Sequence, residues 1–173
     1  MNVFGVNTGI IPVLGDIRGI HDPCIIKSGN TYYIFSTGKG IRITQSKDLV
    51  NWKSSGYVFD KLPEWVTKDV FYGIRDLWAP DISYFNGKYH LYYAGTVFGT
   101  NQSVIGLVTN KTLDTTSLDY QWVDEGKVID SKPNRDDWNT IDPNIVFDEN
   151  KNPWMAFGSY WTGIKMRKID SAT

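Results

Sequence analysis

Three aspartates open three similar segments at nearly equal spacing: Asp22 in HDPCIIKSGNTYYIFSTG, Asp81 in APDISYFNGKYHLYYAGT and Asp142 in IDPNIVFDENKNPWMAFGS. The intervals are 59 and 61 residues. Self-similarity at such a period points to stacked copies of one supersecondary unit. A carboxylate at the same point of each copy can then be gathered into one acidic site. Aspartate beside proline is also an ordinary turn starter, and for one Asp-Pro alone that explanation suffices. The recurrence across three units argues for a shared site.

Each unit reads as antiparallel strands. A short apolar strand follows the aspartate (CIIK, ISYF, NIVF), then a turn (SGNT, NGK, DENKNP), then an aromatic strand (YYIFST, YHLYYAG, WMAFGS). That is the pattern of a hairpin. Asn86-Gly87 is the clearest turn signal, because both residues tolerate positive φ. Third strands follow as GIRITQS, SVIGLVT and GIKMRKI. The first two units then reach an outer segment ending in tryptophan, at Trp52 and Trp122. Helical periodicity is weak throughout. The expectation is an all-β chain whose units are blades of a β-propeller, with repeats at about 18–76, 77–137 and 138–173. Propellers have roughly four to eight blades, and the third unit stops at KIDSAT, before any outer strand. The reading therefore expects the N-terminal portion of a longer propeller, with a companion polypeptide carrying the remaining blades.

Composition narrows the functional classes. The formal charge is −1 and the Lys and Arg residues are scattered, so neither nucleic acid nor an anionic membrane is an expected partner. No stretch approaches the length of a transmembrane helix, and the N-terminus shows no secretory pattern. The compartment stays open. A lone cysteine, Cys24, forms no intrachain disulfide and reads as a small buried hydrophobe. With only His21 and His90, no metal site rich in histidine and cysteine is expected. Seven tryptophans suit β-packing or sugar stacking.

Three segments in register, HDPCIIKSGNTYYIFSTGKGIRITQSKDLVNW, LWAPDISYFNGKYHLYYAGTVFGTNQSVIGLVTN and WNTIDPNIVFDENKNPWMAFGSYWTGIKM, resemble glycoside hydrolase family 43, and within it the α-L-arabinanases. They cover most of residues 18–168. The resemblance implies a five-bladed β-propeller that hydrolyses α-1,5-L-arabinan with inversion, using three carboxylates. Asp22 matches the general base that activates water. Asp142 matches the aspartate that raises the acid's pKa and orients it. The glutamate general acid is one blade later in the family, and Glu64, Glu125 and Glu149, the chain's three glutamates, do not match its motif. The acid is thus expected beyond residue 173, leaving this chain alone inactive or weakly active. No cofactor is required; a calcium ion in the complete propeller is implied, held by a later histidine that neither His21 nor His90 matches. The family's β-xylosidases and arabinofuranosidases are the neighbouring enzyme readings. A non-catalytic sugar-binding propeller is the reading from another class.

Other residues fall in cleft-like segments of the resemblance. His21, Trp78, Phe98, Asn144, Ser159 and Trp161 are expected to contact sugar, with packing as the alternative for Trp78 and Phe98 and a backbone-bonded strand end for His21. Asp81 is expected to support the site by hydrogen bonding near the mouth. Gly106 either lets a ligand approach the backbone or relieves crowding in a strand.

Overall fold

The computed structural model describes residues 9–70 and 73–170. Residues 1–8, 71–72 and 171–173, which belong to the N-terminus and to the first and third expected units, lie outside the described residues. Three sheets follow one another along the chain. The first contains β1 (Leu14–Gly15), β2 (Cys24–Ser28), β3 (Thr31–Ser36), β4 (Arg42–Ser46) and β5 (Asn51–Tyr57), in the order β1-β5-β4-β3-β2. The second is β6 (Trp78–Phe85), β7 (Lys88–Thr96), β8 (Ser103–Asn110) and β9 (Val123–Ser131). The third is β10 (Asn144–Phe147), β11 (Pro153–Phe157) and β12 (Lys165–Lys168). Pairing is antiparallel except where β1 runs parallel to β5. The all-β expectation therefore holds.

Turn chemistry sets the register. Asn86 and Gly87 both have positive φ (49° and 75°) and close the β6–β7 hairpin between Phe85 and Lys88. Two positive-φ central residues define a type I′ turn, whose twist matches that of the flanking strands.

The second sheet is buried on both faces, and β7 shows how. Tyr89, Leu91 and Tyr93 pack toward the first sheet, with Phe35, Ile41 and Ile43. The alternate residues Tyr92 and Ala94 pack toward the third sheet, with Met155 and Phe157. Side chains of a strand alternate in direction with a period of two. A strand with both faces buried therefore reads as one continuous apolar run, which is how YHLYYAG reads. Each such fully buried large side chain contributes about 1.5–3 kcal/mol.

Two sequence expectations change. The outer strands start at or after the tryptophans rather than ending at them: Trp52 is the second residue of β5, and Trp122 directly precedes β9. Each indole is tied to the incoming loop, Trp52 Nε1 donating to Leu49 O (3.0 Å) and Trp122 Nε1 to Tyr120 Oη (3.2 Å). A short helix, α1 (Glu64–Val70), also lies where no helix was expected. It has only two turns, too few for a periodic signal. Its marks are Pro63 before the first turn, the Glu64–Lys68 pair at 3.4 Å, and Val66 and Val70 buried on one face.

The helix packs on the second sheet at two glycines. A Cβ on Gly95 would stand 2.6 Å from Val66 Cγ1. A Cβ on Gly106 would stand 2.6 Å from the Tyr93 ring and 2.8 Å from Trp65 Cη2. Gly106→Ala should consequently cost about 1–3 kcal/mol through overpacking, read as a lower urea midpoint with an unchanged m value.

Candidate active site

β2, β6 and β10 each start at an X-Pro-X segment: Asp22-Pro23-Cys24, Ala79-Pro80-Asp81 (within the first residues of β6) and Asp142-Pro143-Asn144. The residue before each proline has positive φ, at 47°, 41° and 55°. This shared backbone corrects the equivalence drawn from sequence. The partner of Asp22 and Asp142 in the second sheet is Ala79, and Asp81 lies two residues further along, level with Cys24 and Asn144. A bulge between Trp78 and Asp81 gives the second sheet its irregular start. Ala79 shows that the strained conformation, worth about 1–3 kcal/mol, belongs to the strand entry and not to the carboxylate.

Asp22 and Asp142 come from different sheets and wall the same cleft of about 650 Å³. His21, Trp78, Phe98, Ser159 and Trp161 line it with them, so the structure brings seven of the ten expected residues together. The Trp78 and Phe98 rings lie 6.4 Å apart, and Phe98 is 87% exposed at the rim. Tyr160 and Trp161 hold positive φ (53° and 45°) in a turn closed by Gly163 N donating to Tyr160 O at 2.7 Å. Thr162 fixes that turn by donating to Asp137 O from its N (3.1 Å) and Oγ1 (2.7 Å).

The two aspartates sit in unlike environments. Asp22 Oδ2 accepts from Thr37 Oγ1 at 2.7 Å and lies 2.8 Å from His21 Nδ1. One oxygen is thus held, and the other, Oδ1, has no protein partner among the described residues. The Asp142 carboxylate accepts no hydrogen bond among the described residues. Partial burial pushes its pKa above the usual carboxylate range, and the nearby charge of Asp22 adds to the rise.

Asp81 and Asn144 form a second tier. Asp81 accepts from Asn144 Nδ2 (3.1 Å) and from Ile145 N (2.8 Å), pinning the second sheet to the third. They line a more open cavity of about 470 Å³ to which Asp22, Asp142 and Cys24 also contribute. Burial raises the Asp81 pKa and its two hydrogen bonds oppose the rise. Burial, and then Asp81, push the Cys24 thiol up to about 12, so it stays protonated. Gly106 lies elsewhere: it is buried in β8 beneath Tyr93 and Trp65, and its small size serves packing, not a ligand.

Sequence reasoning missed Thr37 and Asn139. Thr37 Oγ1 accepts from Ala79 N (2.8 Å) while donating to Asp22, so a single hydroxyl joins the first two sheets at the candidate base. Thr37 sits two residues beyond the Phe35 that pairs with Cys24, a register that strand pairing alone reveals. The three glutamates are placed away from the cleft. Glu64 opens α1, Glu125 accepts from Thr109 Oγ1 in β9, and Glu149 lies in the turn after β10. Among the described residues, no group of three or more His, Cys, Asp and Glu is placed to hold a metal ion. His90 is stacked on Phe85 at 3.8 Å.

The profile of glycosyl hydrolases family 43 matches residues 12–173. The extracellular exo-α-(1→5)-L-arabinofuranosidase of Cellvibrio japonicus is 47% identical over 151 residues, 87% of this chain and 44% of that protein. The extracellular endo-α-(1→5)-L-arabinanase 1 of Bacillus subtilis is 41% identical over 158 residues, 89% of this chain and 47% of that protein. The solved α-L-arabinanase of Cellvibrio cellulosa, complexed with arabinohexaose, superposes with a TM-score of 0.86 at 46% identity, covering 88% of this chain and 49% of that one. The chain thus spans about half the length of the relatives it matches.

Two outcomes are expected. Thr37→Val removes both bonds of the hydroxyl, one of them across the first seam, and should lower stability by about 1–3 kcal/mol, with Thr37→Ser restoring most of it in urea unfolding. The raised Asp142 pKa means that its contribution to stability is present below the ordinary carboxylate range and is lost as pH rises through the folded-state value. Asp142→Asn should therefore raise the urea midpoint at neutral pH, and the gain should vanish by about pH 3.

Proposed function

The chain belongs to glycosyl hydrolases family 43, and from that membership we propose that it supplies the water-activating half of an inverting glycosidase acting on α-1,5-linked L-arabinan. The observation that carries the reading is the convergence of Asp22 and Asp142, from two sheets, on one aromatic-rimmed cleft. The similar proteins, an exo-α-(1→5)-L-arabinofuranosidase and an endo-α-(1→5)-L-arabinanase, suggest the substrate class. The three sheets are read as successive blades, at about 18–76, 77–137 and 138–173, of a five-bladed propeller.

In this mechanism Asp22 is the general base. Thr37 and His21 hold Oδ2, so Oδ1 takes the proton from a water on the far face of the sugar. The water oxygen bonds to the anomeric carbon as the glycosidic C–O bond breaks. A protonated glutamate on the opposite side, about 6.5–9.5 Å from the base, gives its proton to the leaving oxygen. Since Glu64, Glu125 and Glu149 lie outside the cleft, that glutamate comes from polypeptide other than residues 1–173, borne by a companion chain or by further blades. Asp142 faces the leaving-group side, and its negative charge keeps the acid protonated near neutrality. Trp78, Phe98 and Trp161 offer apolar faces to the sugar rings. No step needs a cofactor.

The test is turnover of linear arabinan by the chain combined with the polypeptide that carries the remaining blades. Asp22→Asn should lower kcat about 100- to 10,000-fold with little change in KM, and the first-formed anomer seen by NMR should be inverted. Undiminished turnover by Asp22→Asn would remove Asp22 as the base. Preference for aryl xylosides over arabinan would move the substrate to the neighbouring enzymes of the family.

A further inference from the structure

Asn139 lies three residues before Asp142, is only 4% exposed, and lines the same cleft. Its carboxamide is held at one end. Ser103 Oγ donates to Asn139 Oδ1 at 2.7 Å, and Thr96 Oγ1 stands 2.6 Å from Ser103 Oγ. A hydroxyl has one proton to give. Ser103 gives its proton to Asn139, so the short contact from Thr96 is the donation that Ser103 receives; the approach of Thr96 Oγ1 to Val97 O is longer, at 3.4 Å. The relay runs one way, from Thr96 to Ser103 to Asn139. It fixes the carboxamide with Oδ1 against the β7–β8 edge and Nδ2 at the cleft wall.

No protein group among the described residues accepts from that Nδ2. It is not among the fully enclosed polar atoms that lack a partner, so it opens on the cleft, where water or a ligand hydroxyl can accept from it. The cleft suggests what the acceptor is. Asp22 and Asp142 are both acceptors when ionised, and together they repel an anion. Trp78, Phe98 and Trp161 favour a ligand with apolar faces. A neutral polyhydroxylated ring fits all three conditions, with its hydroxyl protons on the carboxylates and a hydroxyl oxygen on the amide.

The geometry points to Asn139 Nδ2 as a hydrogen-bond donor to one sugar hydroxyl oxygen, and so to Asn139 as a determinant of which sugar stereochemistry the cleft accepts. Ser103 and Thr96 are positioning residues that hold the amide in this orientation. The assignment rests on the sugar-binding reading of the cleft given above.

The experiment is calorimetry with α-1,5-arabinotriose and its singly deoxygenated analogues, using the full chain and the Asn139→Ala and Asn139→Asp variants. Asn139→Asp keeps the side chain's shape and its acceptor for Ser103 but removes both N–H donors. Each variant should bind arabinotriose about ten- to a hundredfold more weakly than wild type. One deoxy analogue should bind wild type with a similar loss, and for that analogue alone Asn139→Ala should cost nothing further. Equal affinity of the variants and wild type for arabinotriose would overturn the assignment. So would a loss in Asn139→Ala that is the same with every deoxy analogue, since that describes a merely structural residue. Wild type binding every deoxy analogue as tightly as the parent, a result independent of whether any variant folds, would overturn it too. Absence of heat from wild type at millimolar arabinotriose removes the sugar reading itself, and this assignment with it.

Discussion

A sheet with two apolar faces must be covered twice, and the second sheet meets that demand by lying between the first and the third. Everything at the candidate site follows from this packing. β6 is the strand of the second sheet that meets both β2 and β10. The starts of those three strands consequently gather at one place, and the residues before their prolines, Asp22, Ala79 and Asp142, all line the more open cavity. Removing the apolar packing of Tyr89, Leu91, Tyr93, Tyr92 and Ala94 would leave Asp22 and Asp142 with no reason to meet.

The seams between sheets are polar at the level of the site and apolar below it. Thr37 bonds to both Asp22 and Ala79, and Asp81 bonds to both Asn144 and Ile145. These bonds lie at or near the surface, and each contributes about 0.5–1.5 kcal/mol. They also fix direction, which dispersion contacts between rings do not. Apolar packing brings the sheets together, and these bonds set their offset at the point where geometry governs chemistry.

Much of this was legible in the sequence, for identifiable reasons. Strands with alternating burial and turns such as Asn86-Gly87 carry their signals locally, so the antiparallel order could be read directly. Asp22 and Asp142 stood out because proline fixes a recognisable entry to each strand. Asp81 misled because its spacing resembled theirs, although it lies two positions past the residue before its proline, level with Cys24 and Asn144. Gly106 read equally well as a ligand-facing or a packing glycine, and only the placement of Tyr93 and Trp65 distinguishes the two. Helix α1 is too short to show a period. Thr37 and Asn139 are ordinary residues in one dimension; their importance comes from partners 42 and 36 positions away in the chain.

The Thr37 hydroxyl has a mechanical implication. It is at once a rivet between two sheets and the brace of the candidate base, so strain in the scaffold and misalignment of the reacting oxygen are one event. A small parting of the first seam under heat or denaturant would swing Asp22 before either sheet lost a strand. Loss of turnover should then run ahead of loss of β structure, making catalysis an early gauge of loosening in the architecture.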